Sequence, residues 1–247
     1  MLRGFRTHVV QHDWFAVGVD LVVVVVGILV ALEFGSWVEA RKDRALEQVY
    51  LERLKEDFEI ELARIDDARR YAQSRIDAAK LLHRLVADPA SAPDAGARVP
   101  WAVETASWRS FPQINAFVYG ELQSTGRLAL LRSVSLRRML AEHYTASHHE
   151  ARVGLDLSAQ QRFDAACSGL LGIDELTAIE LAGGRWEKLE VTPARALEIA
   201  REFARRPAAI AELPSLVQHH TYNLRVLDDM RRRIEAIIAR VSAPQVR

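Results

Sequence analysis

Residues 14–32 read WFAVGVDLVVVVVGILVAL, and this stretch decides the fold. It is 19 residues long, and its only ionisable group is Asp20. As a helix at about 1.5 Å per residue it spans roughly 28 Å, close to the hydrocarbon thickness of a bilayer. A buried strand of this length would be far outside the usual range, and a single lipid-spanning segment must satisfy its backbone internally. The sequence therefore predicts a transmembrane helix.

A cleaved signal peptide is the alternative interpretation of this stretch. The apolar core of a signal peptide normally has about 7–15 residues, and a small-residue cleavage site follows it. Here the apolar run is longer, and it leads into EFGSW at residues 33–37 and a charged helical pattern. Trp14 and Trp37 stand near the two ends, where indole rings prefer the headgroup region. We therefore expect a retained anchor of residues 14–36 after an N-terminal tail of residues 1–13.

The charges that flank the anchor favour one orientation by a small margin. The tail carries Arg3 and Arg6, whereas Arg41, Lys42 and Arg44 beyond the anchor are interleaved with acids. Lys and Arg near the ends of a span favour the cytoplasmic side. Because the basic residues are mostly arginine and alanine is abundant, the composition is typical of a GC-rich bacterial genome. We expect a single-pass protein of the bacterial inner membrane with a periplasmic main domain.

One face of the predicted anchor combines an acid with small residues. At about 100° per residue, its five members fall within about 100° of one another. They are Ala16, Asp20, Gly27, Ala31 and Gly35, which we call the association face. An acid within a span usually faces protein or water, and small residues permit close helix approach. The face therefore favours self-association or binding to another membrane protein. The alternative is that Asp20 stays protonated or hydrated and the small residues align by chance.

Beyond the anchor the sequence has the periodicity of helices. No proline or glycine occurs from Trp37 to about Ala87, and apolar residues recur there at steps of three and four, on one face of a helix. Since Gly35-Ser36 is the only local weakness, we expect the anchor to run into this helix almost without a break. We predict an all-α fold, in which the transmembrane helix continues into a long amphipathic helix. An antiparallel helical bundle follows, and residues 37–247 form this domain.

Proline and glycine divide the rest of the chain. A loop is expected at about residues 88–113, where Trp101, Trp108 and Phe111 form an aromatic cluster that caps the core. Further helices are expected at about residues 114–123, 128–171 and 172–182.

Three short motifs predict where the later helices begin or end. Thr192-Pro193 is an N-cap followed by proline at the first helical position. Pro214 is expected to open the last helix. At residues 124–126, Ser-Thr-Gly is expected to break the chain and to cap the next helix with a hydroxyl.

Several of these motifs occur together in one order. Asp20 precedes an Ile/Leu/Val run, GILVAL follows at residues 27–32, and then come Trp37 and Glu39. The pattern continues with Tyr50-Leu51, Leu54, Asp57, Tyr119, Glu121-Leu122 and Ser124-Thr125-Gly126. In these residues the chain resembles an uncharacterised bacterial family of single-pass membrane proteins, domain of unknown function 6090. The family commonly has Glu at the position of Asp20 and asparagines at Gly35-Ser36. The resemblance implies an anchor and a helical domain, and it implies no activity.

No sequence pattern indicates a catalytic, cofactor or metal site. The chain has no paired cysteines around Cys167, no His-Glu-x-x-His, no phosphate-binding glycine loop and no Gly-x-Ser-x-Gly. The eight histidines lack the shared helical face of a metal site: His8, His12, His83, His143, His148, His149, His219 and His220. The formal net charge is zero, so a nucleic-acid partner is not expected. We expect no cofactor.

Three classes of function remain open at this point. The favoured one is a membrane-anchored helical interaction or scaffold protein, whose partners are the lipid bilayer, a second copy or another membrane protein. The alternative is a sensor-like ligand-binding bundle, which needs a polar cavity between its helices. The third, an enzyme, needs titratable groups that converge in such a cavity, and we do not expect it.

Overall fold

The computed structural model describes residues 10–109, 111–153 and 158–243, and the side chains of residues 17–109, 111–147 and 158–243. Within these residues the fold is all-α, as predicted, and contains no strand. The helices are α1 (Val10–Ala87), α2 (Ala92–Ala95), α3 (Arg98–Thr105), α4 (Phe117–Ser124), α5 (Val134–Val153), α6 (Ser158–Cys167), α7 (Ile173–Leu181), α8 (Pro193–Ala204) and α9 (Pro207–Ser242). Short 3₁₀ turns lie at Pro89–Ser91, Arg127–Leu130 and Trp186–Lys188.

α1 is one unbroken helix of 78 residues. At about 1.5 Å per residue it is roughly 120 Å long. At the predicted weak point the hydroxyl of Ser36 donates to the carbonyl of Glu33 at 2.8 Å, within the helix. All side chains of residues 17–37 are exposed, whereas from Glu47 onwards one face of the helix is buried. The prediction that the anchor runs into the amphipathic helix is confirmed.

α9 runs antiparallel to α1 along most of the bundle. Arg69 on α1 pairs with Asp228 on α9 at 2.6 Å, and Asp66 pairs with Arg231. Residue numbers therefore rise on α9 as they fall on α1. These two helices form the frame against which the shorter helices pack.

Two clusters of buried apolar side chains lie along this frame. The proximal core, nearer the predicted anchor, joins α1, α4, α5 and the second half of α9; its large members include Tyr50, Leu54, Phe58, Ile65, Leu122, Leu136, Leu140 and Ile234. The distal core joins the end of α1 to α3, α6, α8 and the start of α9; its large members include Leu82, Leu85, Trp101, Phe163, Leu170, Phe203 and Leu213. Complete burial of one such side chain contributes about 1.5–3 kcal/mol.

The region predicted as a loop contains α2 and α3. Its prolines do not prevent this, because Pro93 lies in the first turn of α2 and Pro100 in the first turn of α3, where a backbone N–H has no helical partner anyway. Trp101 is buried in the distal core, whereas Phe111 packs against the proximal core. The predicted aromatic cluster is therefore divided between the two cores.

The predicted break at residues 124–126 is confirmed, because α4 ends at Ser124, but the predicted cap on the next helix is wrong. Ser124 and Thr125 do not cap the next helix, because both hydroxyls donate back to the carbonyl of Glu121, at 3.2 and 2.6 Å. The hydroxyl of Ser133 caps α5 instead, by accepting from the backbone N–H of Leu136 at 3.2 Å. Thr192, by contrast, caps α8 as predicted, since its hydroxyl accepts from the N–H of Arg195 at 3.2 Å.

Pro214 does not open the last helix, because α9 begins at Pro207 and continues through Pro214. A proline inside a helix removes one backbone hydrogen bond and costs about 3 kcal/mol or more. Leu213 and Leu216 on either side are buried in the distal core. Their packing holds the helix together across the proline.

Candidate functional site

The association face is uncovered in the structure. Asp20 and Ala31 are exposed, and a Cβ added at Gly27 or Gly35 would meet no atom within 4 Å. The side chain of Ala16 lies outside the described residues. Within the described part of the chain one helix is long and apolar enough to cross a membrane, and its apolar window is not buried. The described members of the association face therefore have no partner from the described part of the chain.

Trp37 stands at the end of the apolar stretch. Its ring lies 5.9 Å from that of Phe34, and the guanidinium of Arg41 lies over it at 5.7 Å. This grouping of an indole with a cation suits a membrane–water boundary, although its interfacial role stays a prediction. The side chain of Trp14 is outside the described residues.

A polar network joins α1 to the end of α4 close to the predicted anchor. The hydroxyl of Tyr50 donates to Glu121 at 2.8 Å, and Arg53 donates to the same carboxylate at 2.7 Å. Arg127, just beyond α4, donates to the Tyr50 oxygen at 3.2 Å. The hydrogen bond from Arg53, followed by that from Tyr50, holds the pKa of Glu121 below its usual value. We call Tyr50, Arg53, Glu121 and Arg127 the Tyr50 network.

Two further acids of α1 hold the neighbouring segments. Glu47 is buried and accepts from the backbone N–H of Arg132 at 2.8 Å and from its guanidinium at 2.6 Å. Asp57 accepts from the N–H of Val118 at 3.2 Å, at the start of α4. These two acids of α1 thus hold the segment before α5 and the start of α4.

The residues that carry the family resemblance meet in this region. Leu51, Leu54 and Leu122 are buried together in the proximal core, beneath the Tyr50 network. The ring of Tyr119 stacks on that of Tyr144 at 4.6 Å. Residues far apart in sequence therefore form one structural unit, which joins α1 to the shorter helices of the bundle.

Two of the described histidines, His143 and His220, are buried within the fold, whereas His83 is exposed. His143 is fully buried and its Nε2 lies 3.1 Å from a carboxylate oxygen of Glu61. His220 is buried and its Nε2 donates to the carbonyl of Ala106 at 2.8 Å. Burial lowers the pKa of His220 to about 4, so the ring is neutral at pH 7. Among the described residues no group of three or more His, Cys, Asp or Glu is placed to hold a metal. The side chains of four other histidines lie outside the described part of the chain: His8, His12, His148 and His149.

The thiol of Cys167 lies in a largely buried environment, and the acidic doublets of α1 and α9 lie in ion pairs. Burial raises the pKa of the Cys167 thiol to about 12, so the thiolate is not available at pH 7. The acidic doublets at residues 66–67 and 228–229 form ion pairs with arginines of α1 and α9. These pairs lie near the surface and contribute little each.

A cavity of about 820 Å³ at the distal end was not predicted from the sequence. Arg75, on α1, is only 5% exposed and lies at its wall. The guanidinium lies 5.7 Å from the ring of Tyr71, 5.8 Å from that of Trp101 and 5.4 Å from that of Trp108. Within the described residues it forms no ion pair, and burial lowers its pKa to about 10, so it stays charged at pH 7. We call this the Arg75 cavity.

One sequence signal could have revealed Arg75. At about 100° per residue, Arg75 lies on α1 between the directions of Leu82 and Ala68, well inside the buried arc of the helix. A charged residue at such a position must find polar or aromatic partners. Which partners it finds depends on α3 and on the turn at Gly184, which are distant in sequence.

Comparison with known proteins identifies a family and no activity. No curated protein and no solved structure matches the chain. A model described as a family of unknown function, DUF6090, matches residues 20–151, slightly more than half of the chain. The matched region contains most of the association face and the whole Tyr50 network, and the resemblance seen in the sequence is confirmed. The chain belongs to the DUF6090 family.

Proposed function

We propose that the protein is a membrane-anchored helical interaction protein that assembles through its anchor. The observation that carries the proposal is the bare association face: residues 17–37 have no partner in the described chain, yet they include an acid. Insertion of Asp near the centre of a span costs about 2.5–3.5 kcal/mol. A neighbouring helix reduces this cost by giving Asp20 a hydrogen-bonding partner.

Packing supplies much of the energy of this association. Interhelical polar contacts in membranes contribute about 0.6 kcal/mol on average, so Asp20 alone does not hold two helices together. Gly27 and Ala31 permit the backbones to approach closely, which increases the van der Waals contact. The partner is a second copy of the chain or another membrane protein.

Substitutions of two glycines test the proposal. Gly18 lies about 150° from the middle of the association face, so Gly18→Ile is a matched control for Gly27→Ile. In a transmembrane association reporter, Gly27→Ile should lose most of the signal and Gly18→Ile should keep it. Asp20→Asn should lose less, because the amide still forms hydrogen bonds. Equal signals for wild type and Gly27→Ile would contradict the proposal.

The proposed location is the bacterial inner membrane, with the main domain in the periplasm. The tail carries two arginines and supports this orientation, because the basic residues just beyond the anchor are interleaved with acids. Single cysteines in the tail and after Val86, in a Cys167→Ser background, can be labelled with an impermeant thiol reagent in spheroplasts. Labelling after Val86 supports the proposed orientation, and labelling of the tail reverses it. Crosslinking in native membranes then identifies the partner.

A sensor-like bundle that binds a ligand is the second candidate function. The Arg75 cavity favours it, because a polar cavity between helices is what such a function requires. α1 supplies a wall of the cavity and also forms the anchor. In this function the role of the bundle is binding and not catalysis.

A further inference from the structure

Arg75 differs from the buried acids in having no oppositely charged residue as its partner within the described part of the chain. Glu47 is paired with Arg132, and Glu61 lies against His143, whereas Arg75 is surrounded by three aromatic rings. Rings stabilise a cation through their faces, but they accept few of its N–H hydrogen bonds. A guanidinium presents five donors, which match the paired oxygens of a carboxylate or phosphate. Buried donors of this kind are the usual basis of an anion site.

The walls of the cavity add positive charge and a flat apolar surface. Arg98 and Arg185 line it with Arg75, and the guanidinium of Arg98 lies 5.6 Å from the ring of Trp186. Arg70 also lines it but is paired with Asp67. This leaves two acids in the wall, Asp77 and Glu187, against three arginines. The wall therefore has a net positive charge.

The turn after α7 closes one side of the cavity. The carbonyl of Gly184 accepts from the indole N–H of Trp101 at 2.7 Å. A Cβ at Gly184 would lie 3.1 Å from the ring of Trp108 and 3.5 Å from an Arg75 nitrogen, and the residue has a φ of +66°. Glycine therefore allows the turn to approach the arginine and its rings closely. The next residues, Arg185 and Trp186, are thereby placed at the cavity.

The distance from the anchor excludes a lipid headgroup as the ligand. Arg75 lies 39 residues beyond Ser36 on the same unbroken helix. At about 1.5 Å per residue this is roughly 58 Å, well beyond the headgroup layer. The ligand must therefore come from solution.

We propose that the Arg75 cavity binds a small soluble anion, a carboxylate or phosphate carried on a planar ring. The oxygens pair with Arg75 and are supported by Arg98 and Arg185, and the ring packs against Trp186. The cavity of about 820 Å³ is within the range of small-molecule sites, about 300–1,000 Å³. The inference deepens the second candidate function, and it does not depend on association of the anchor.

Binding of simple probes to the full-length protein in non-ionic detergent tests this inference. Benzoate and phenyl phosphate carry the two anionic groups on one ring, and benzamide is the neutral analogue of benzoate. We expect calorimetric titration at 0.15 M salt to detect one or both anions and to find benzamide at least tenfold weaker. Comparison of the affinities for phenyl phosphate and benzoate shows whether the site prefers a phosphate or a carboxylate. Equal binding of benzamide, or no binding of either anion at millimolar concentration, would overturn the proposal.

Substitutions in the Arg75 cavity test whether the anion binds there. Arg75→Lys keeps the charge but loses the paired donors, and it should weaken anion binding at least tenfold. Trp186→Ala, at an exposed ring, should weaken it severalfold without affecting folding. Arg84→Lys is the matched control, because Arg84 is an exposed arginine of α1 outside the cavity. Gly27→Ile should bind the anions with the affinity of the wild type. This result would show that the cavity and the association face act independently. Unchanged affinity in both Arg75→Lys and Trp186→Ala would place the anion elsewhere and overturn the proposal.

Discussion

The proximal and distal cores bury their polar side chains in different ways. In the proximal core the two buried acids have basic partners, Arg132 for Glu47 and His143 for Glu61. In the distal core Arg75 is held by rings, and the ring of His220 is held by a backbone carbonyl. A paired buried charge fixes the geometry of its neighbours, whereas an unpaired one retains the capacity to bind. This difference supports a structural role for the proximal core and the proposed binding role for the distal core.

The largest expected effects test whether the two cores unfold together. Phe58→Ala in the proximal core and Phe203→Ala in the distal core should each lower the free energy of unfolding by about 3–5 kcal/mol. Because α1 and α9 run through both cores, each variant should keep one transition. Far-UV circular dichroism reports the whole bundle in urea, and fluorescence of Trp101 and Trp108 reports the distal core. Separate midpoints for the two signals would show that the cores are independent.

Acid should weaken the distal core through His220. The pKa of His220 is lowered to about 4 in the folded chain, against an ordinary value of 6.5. Below pH 6.5 the unfolded chain therefore takes up a proton that the folded chain does not, and stability is lost as the pH falls from 6.5 to 4. The shift corresponds to about 3 kcal/mol.

Comparison with His220→Gln isolates this effect, because the carboxylates titrate equally in both chains. The free energy of unfolding, measured in urea at pH 7 and pH 4.5, should fall less in the variant. An equal loss in both chains would show that His220 does not contribute.

Replacing one buried charge in each core sharpens the comparison. Glu47→Leu leaves the N–H of Arg132 without its acceptor and should cost about 1–3 kcal/mol. For Arg75→Leu two effects oppose each other. The lowered pKa corresponds to a penalty of roughly 3 kcal/mol on the charged form, and each of the three ring contacts returns about 0.5–2 kcal/mol. Summed over the three rings this return is about 1.5–6 kcal/mol, and near the middle of that range it cancels the penalty. We therefore expect Arg75→Leu to change the free energy of unfolding by less than Glu47→Leu does. A larger cost for Arg75→Leu than for Glu47→Leu would reverse the roles assigned to the two cores.

The smallest expected effect is at the surface ion pair beside the Arg75 cavity. Both Asp67 and Arg70 are largely exposed, and Asp67→Asn should change the free energy of unfolding by less than about 0.5 kcal/mol. The urea midpoint measures this. A change above about 1 kcal/mol would mean that charge at the rim of the cavity affects the fold as well as the ligand.

The sequence predicts features that depend on neighbouring residues. The unbroken α1 follows from the absence of helix breakers between Trp37 and Ala87, and the start of α8 follows from Thr192-Pro193. The prediction that Pro214 opens the last helix is wrong for a physical reason. The free-energy cost of an interior proline can be read from the local sequence, whereas the tertiary packing that offsets this cost cannot. The Arg75 cavity was missed for a related reason. Its aromatic partners come from three separate segments, and periodicity contains no information on which segments meet.

The continuity of α1 has a torsional consequence. A helix without a break transmits rotation, so the number of residues between the anchor and the bundle sets the angular phase between them. Each residue inserted into the exposed stretch at residues 39–45 turns the bundle by about 100° relative to the anchor. Two inserted alanines rotate it by about 200°, whereas seven return it to within about 20° of its starting direction. In an assembled pair this stretch thus acts as a phase-setting element, which decides the sides that the two bundles present to each other.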